Sequence, residues 1–246
     1  MIKYFTNTFS TINLYKKPST KSEIVTQMIF GESFSVNKKK DKWLKIKIKE
    51  DDYKGYIQNK NFSEYLKPTH KINKLNAKIY KFPNKQVKNN ELTFGSKIKV
   101  IDKKSQFYKF ARGWISKNDV CLISFKEKNK FKKINIFKNV IYKWGGKSFK
   151  GIDCSALIQV CLNFNNAYCP RDARDQVKYF KKNIRLDRIK KNDIIYWKGH
   201  VAVALNNKML IHAYGPMKKT IIMGIDQTIK RINKTANLKV IGIKRL

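Results

Sequence analysis

The stretch Tyr142-Lys-Trp144-Gly145-Gly146-Lys-Ser148-Phe-Lys-Gly151-Ile-Asp153-Cys154-Ser155-Ala156-Leu157-Ile158-Gln159 decides how this 246-residue chain is read. From Asp153 onward, Leu157, Val160, Cys161 and Phe164 recur at a period near 3.6. That spacing predicts an amphipathic helix over 153–164 with Cys154 in its first turn. The free N–H groups and the dipole at a helix N-terminus favour a thiolate and can hold an oxyanion. A thiol nucleophile needs both.

A nucleophile also needs a base, and the chain has three histidines, His70, His200 and His212. The apolar runs Asp193–Trp197, Val201–Leu205 and Met209–Ala213 are split by Gly199 and by Asn206-Asn207. They predict three strands of an antiparallel meander with a tight turn at the asparagine pair. His200 begins one strand and His212 lies near the end of the next, so the two rings meet. A thiol on a helix end facing such a pair supplies nucleophile, base and orienting group. A zinc site at His200 and His212 with Cys154 or Asp193 would lack a fixed fourth ligand, so neither metal nor cofactor is expected. Cys121, Cys161 and Cys169 read as structural thiols, and His70 has no partner in view. Val240–Ile243 reads as a final strand, and the helix-then-meander order is α+β.

Upstream lies an internal repeat. Leu14-Tyr15-Lys16-Lys17-Pro18 recurs as Ile79-Tyr80-Lys81-Phe82-Pro83, and Phe30-Gly31-Glu32 recurs as Phe94-Gly95-Ser96. Trp43 aligns with Phe107, and Gly55-Tyr56-Ile57 with Gly113-Trp114-Ile115. Both copies alternate like strands, which predicts two small closed β-barrels. Residues 124–137 form a lysine-rich junction into the second half. The expected division is 1–66, 67–125 and 126–246.

Composition sets the outer limits. With 42% hydrophobic residues the chain can bury a core. No apolar run approaches the roughly 20 residues that a membrane helix needs. The net charge is +38, yet only seven of the 55 basic residues are arginine. Nucleic-acid readers lean on arginine, so the lysines read as a solvated coat and no specific nucleic acid is expected. The first fifteen residues carry no leader-like apolar core, which points to a cytoplasmic protein, with a periplasmic or extracellular one as the alternative.

The quoted stretch, followed by Pro170-Arg171-Asp172…Gln176, Asn192-Asp193, Gly199-His200-Val201-Ala202 and Ile211-His212-Ala213, resembles the NlpC/P60 cysteine peptidases. The repeats resemble bacterial SH3-like (SH3b) domains. The resemblance implies a papain-like catalytic domain preceded by two SH3b barrels. It implies Cys154 as nucleophile, His200 as base, His212 as the third polar residue and Tyr142 near the oxyanion. Two departures stand out: Ala156 where the family has Gly, and Asn192 where it has Gly before the first strand. The combination resembles cytosolic γ-D-glutamyl-L-diamino-acid endopeptidases of cell-wall recycling. These act on murein peptides of the form L-Ala-γ-D-Glu-diamino acid with a free amine. On that resemblance Asp153, Ser155, Glu32 and Tyr53 are expected to bind the amine, and the enzyme is expected to be a monomer. A secreted hydrolase of intact peptidoglycan and a non-catalytic SH3b protein binding an anionic polymer are the alternatives.

Overall fold

The computed structural model describes residues 2–84 and 87–246, with backbone alone at 87–89. The first β unit holds seven strands: β1 (Tyr4–Thr6), β2 (Thr11–Tyr15), β3 (Ile24–Ile29), β4 (Ser33–Lys40), β5 (Trp43–Ile48), β6 (Lys54–Gln58) and β7 (Ser63–Glu64). They pair in the order β3-β2-β6-β5-β4-β1-β7 around Leu14, Met28, Phe34, Ile46, Ile48 and Ile57. Alternation explains this core. Along β5 the inward Leu44, Ile46 and Ile48 are buried while Lys45 between them is exposed.

The second unit runs from β8 (His70–Ile72) through β9 (Asn76–Tyr80), β10 (Val87–Thr93), β11 (Lys97–Ile98), β12 (Asp102–Lys104), β13 (Phe107–Phe110) and β14 (Gly113–Ser116) to β15 (Val120–Leu122). Its strands form a five-stranded and a three-stranded sheet over one core. The repeat is visible in three dimensions. Tyr15 meets Trp43 edge-on at 5.5 Å, and Tyr80 meets Phe107 edge-on at 5.3 Å. Tyr15 pairs with Tyr56, and Tyr80 pairs with Trp114. Gly31 and Gly95 both adopt φ of +81°. At Gly31 a Cβ would lie 2.0 Å from the Lys97 carbonyl oxygen, so no other residue fits there.

Each Phe-Gly turn sends its phenylalanine out of its own unit. Phe30 packs in the core of the second unit, edge-on to Phe110. Phe94 packs in the core of the third region, stacked on Phe164 at 4.5 Å and edge-on to Phe137. Lys71 adds a polar link. Its buried ammonium donates to the carbonyls of Ile123, Phe125 and Phe164.

The third region opens on β16 (Lys147–Ser148) and β17 (Gly151–Ile152), followed by α1 (Cys154–Phe164) and α2 (Ala173–Tyr179). Its six-stranded sheet contains β18 (Lys182–Asn183), β19 (Ile194–Trp197), β20 (His200–Ala204), β21 (Met209–Tyr214), β22 (Lys219–Gly224) and, after α3 (Ile225–Ala236), β23 (Val240–Arg245). The order is β18-β23-β19-β20-β21-β22. The meander and the α+β class agree with the sequence reading. Asn206 closes the hairpin by accepting the Lys208 and Met209 N–H groups at 2.8 Å. Asn192 takes φ of +75°, the conformation that Gly would have supplied.

One expectation changes. Helix α1 is not amphipathic: every residue from Cys154 to Phe164 except Asn163 is buried. The sheet covers one face and the first unit meets the other, where Asp51 accepts from Gln159 at 2.9 Å. A helix buried all round needs no polar face.

Candidate active site

Cys154 is the first residue of α1, and Asp153 is the N-cap, accepting the Ala156 N–H at 2.8 Å. The thiol is 4% exposed. Burial, with the Asp153 carboxylate beside it, pushes its pKa up to about 12. The Val201 and Ser155 backbone N–H groups and Arg171 favour the thiolate, but they do not offset burial. The helix terminus favours the thiolate locally, and burial outweighs it.

His200 and His212 come together. Their rings share a hydrogen bond, Nε2 of His200 to Nδ1 of His212, at 2.9 Å. The register Val203↔Ile211 sets the two residues diagonally across β20 and β21. Tyr214 lies flat on His212 at 4.6 Å, and Trp197 flanks His200. Burial lowers His200 to about 4, and burial with the neighbouring ring lowers His212 to about 3. Both imidazoles are therefore neutral near pH 7. The Tyr142 phenol is pushed up by burial and by the charges that Cys154 and Asp153 can carry, so it stays a proton donor. His70 lies apart in the second unit, bonded to Thr69.

A cavity of about 490 Å³ opens onto the thiol. Asp153, Cys154, Ser155, Arg171, Asp172, Lys198 and Gly199 line one part of it, and Lys16, Glu23, Val25 and Tyr53 of the first unit line another. Of the four residues expected to hold an amine, Tyr53 is at the cleft, where its hydroxyl donates to Asp172 at 3.3 Å. Glu32 is not. It is 2% exposed and accepts from Lys147 Nζ at 2.6 Å and from the Ile29 N–H. A buried lysine requires that carboxylate, and this corrects the sequence reading. Asp153 and Ser155 do line the cleft, but their acceptors are taken. Asp153 receives Gly145 N–H, Ala156 N–H, the Ser155 hydroxyl and both terminal nitrogens of Arg171. Ser155 also accepts from Arg171 at 2.9 Å.

The carboxylates with capacity left are Glu23, which the sequence reading did not single out, and Asp172, which it quoted within a motif without a role. Glu23 accepts from the Trp144 indole at 3.1 Å and from Lys16 at 3.2 Å, and its side chain is 44% exposed. Arg171 was quoted within a motif without a role. Its rarity was the available signal. In a chain rich in lysine, Arg171 and Arg245 each grip a buried aspartate with two nitrogens, Asp153 and Asp193. Lysine cannot reproduce that fork.

A buried thiol opens a helix that packs on the two strands carrying the paired histidines, an arrangement that suits a cysteine hydrolase. The pattern of the NlpC/P60 family matches residues 139–235, and that of the bacterial dipeptidyl-peptidase SH3 domain matches residues 14–62. Dipeptidyl-peptidase 6 of Lysinibacillus sphaericus is 42% identical over 72 residues, which span 29% of this chain and 27% of that relative. A gamma-D-glutamyl-L-lysine dipeptidyl-peptidase of Bacillus subtilis is 27% identical, over 85% of this chain and 79% of its own length. The crystal structure of an NlpC/P60 family protein from Bacillus cereus superposes with a TM-score of 0.82 at 19% identity, covering 99% of both chains. The chain carries an NlpC/P60 domain over residues 139–235 behind a bacterial SH3 domain over residues 14–62, and it is a cysteine peptidase. No helix among the described residues is long and apolar enough to cross a membrane.

Proposed function

We propose that this peptidase cleaves the γ-D-glutamyl–diamino acid bond of murein stem peptides that carry a free N-terminal L-Ala, releasing L-Ala-γ-D-Glu. The observation that carries this reading is the cleft itself. The first β unit lends Glu23 and Tyr53 to the cavity that reaches Cys154. An ammonium in a closed site needs carboxylate and hydroxyl acceptors, and Glu23, Asp172 and Tyr53 are those groups. A free amine at a fixed distance from the scissile bond suits short peptides already cut from the wall, hence a recycling role. The names of the relatives support the same bond class.

In this reading Cys154 Sγ attacks the γ-carbonyl carbon while His200 Nδ1 accepts the thiol proton. This requires the tautomer in which His200 Nε2–H donates to His212 Nδ1. Because the thiol and the imidazole are both neutral at rest, proton transfer accompanies attack. The Cys154 N–H and the Tyr142 hydroxyl hold the oxyanion. The tetrahedral intermediate collapses as His200 returns the proton to the departing amine. Water, deprotonated by His200, then cleaves the thioester and frees the dipeptide.

The test is to incubate the protein with L-Ala-γ-D-Glu-L-Lys and its N-acetylated form and identify products by mass. The dipeptide should appear from the free peptide, and the acetylated form should be far slower. Cys154→Ala should lose activity by on the order of 10³ or more. Equal kcat/KM on the two peptides would instead favour a hydrolase of intact wall.

A further inference from the structure

We propose that Thr26, a residue of the first β unit, is a positioning residue for the nucleophile, so that this unit aims Cys154 as well as walling the cleft. The inference rests on the reading of Cys154 as nucleophile.

The contacts form one buried chain. Thr26, on β3, is fully buried. Its hydroxyl accepts from Arg171 Nε at 2.6 Å. Arg171 is itself 2% exposed, and its two terminal nitrogens grip both oxygens of Asp153. Asp153 caps α1, and the next residue is Cys154. A planar guanidinium held at three nitrogens has one orientation. Remove the acceptor at Nε and the fork can rotate, with a buried donor left unsatisfied. The rotation is passed to the cap and so to the sulfur, and a displacement of 1 Å there costs catalysis heavily. Gln27, the next residue of β3, accepts the Lys147 N–H at 3.0 Å, so the same strand also fixes the segment leading into α1.

Electrostatics gives Arg171 a second task. A carboxylate immediately before a nucleophilic cysteine opposes thiolate formation, and Arg171 opposes that effect. The other titratable groups at the sulfur are His200, kept neutral near pH 7 by burial, and Tyr142 and Tyr196, also kept neutral by burial. Loosening Arg171 exposes the thiol to an unneutralised Asp153.

The experiment uses the full chain with Thr26→Val, which keeps shape and removes the acceptor, and Thr26→Ser, which keeps the acceptor. Steady-state constants are measured on L-Ala-γ-D-Glu-L-Lys. Alkylation of Cys154 by iodoacetamide is followed by peptide mass across pH. Thr26→Val should lower kcat roughly tenfold with KM changed less than about twofold, and should move the alkylation profile to higher pH. Thr26→Ser should recover both. In an Arg171→Lys background, Thr26→Val should cost almost nothing further, because lysine has no Nε–H to orient. If Thr26→Val does not accumulate, Thr26→Ala carries the same expectations. Wild-type kcat and alkylation in Thr26→Val, failure of serine to rescue, or fully independent effects of Thr26 and Arg171 each overturn the inference. A normal Thr26→Val beside an inactive Cys154→Ala sinks this inference alone. An active Cys154→Ala sinks the reading beneath it.

Discussion

The two β units share a sequence pattern yet meet the third region differently, and the difference sits at matching positions. Glu32 of the first Phe-Gly turn stands where the second has Ser96. Glu32 reaches Lys147 and forms an ion pair 3% and 1% exposed at its two ends, just before α1. Ser96 is buried in the second unit. The first unit meets the catalytic domain mainly through polar groups: Thr26, Gln27, Glu32, Asp51 and Tyr53. The second meets it through Phe94 among the aromatic rings, through Lys71 on the Phe164 carbonyl and through Thr93, whose hydroxyl accepts the Phe149 N–H at 3.0 Å. Apolar packing tolerates small shifts, whereas a buried polar contact fixes direction as well as distance. A unit that shapes a reaction site uses the second kind, and a unit that holds the assembly together can use the first.

The largest expected effect tests the apolar side of this contrast. Phe94→Ala should lower stability by about 3–5 kcal/mol, because a buried ring leaves a cavity between two packed domains. The urea midpoint reports this, and kcat/KM of the folded protein should stay close to that of the parent.

Next comes the polar side. Glu32→Ala strands the Lys147 ammonium and should cost about 3 kcal/mol in stability and also reduce activity. Glu32→Leu combined with Lys147→Met should recover much of the stability in the same urea titration. If it also recovers activity in full, the pair serves packing alone and the contrast between the units weakens.

The histidines give a pH test. His200 and His212 are lowered to about 4 and about 3 in the folded chain, against 6.5 for the ordinary side chain. Between pH 6.5 and 4 the unfolded chain therefore binds more protons than the folded one, and stability falls as pH falls. A loss of about 4 kcal/mol between pH 7 and 5, roughly 2 from each ring, is expected from urea titrations. Replacing both residues with Gln should remove most of that slope. His70→Gln in the second unit should leave most of it, since His70 is only half-buried.

The smallest effect concerns the amine. Glu23→Gln should reduce the preference for the free over the acetylated peptide by about tenfold, near 1.4 kcal/mol, as a charge-assisted contact becomes neutral. Competition between the two peptides measures it. The partly exposed position of Glu23 keeps the figure at the low end.

Much of this molecule was legible before its coordinates. The repeat, the meander and the α+β order follow from alternation and turn residues, which act over a few positions. The pairing of His200 with His212 follows from strand spacing around Asn206. Tertiary structure decided the rest. Glu23 and Glu32 are both carboxylates in the first unit, and nothing local separates them. One opens to the cleft and the other meets a buried lysine 115 residues away. The helix of Cys154 looked half-exposed because a hydrophobic pattern cannot show that a separate β unit covers its other face. The charge state of the thiol was beyond the sequence for the same reason. Local geometry favours the thiolate and desolvation opposes it, and desolvation depends on what the whole fold places overhead. Short-range order is written in neighbouring residues, whereas burial is a sum over the entire chain.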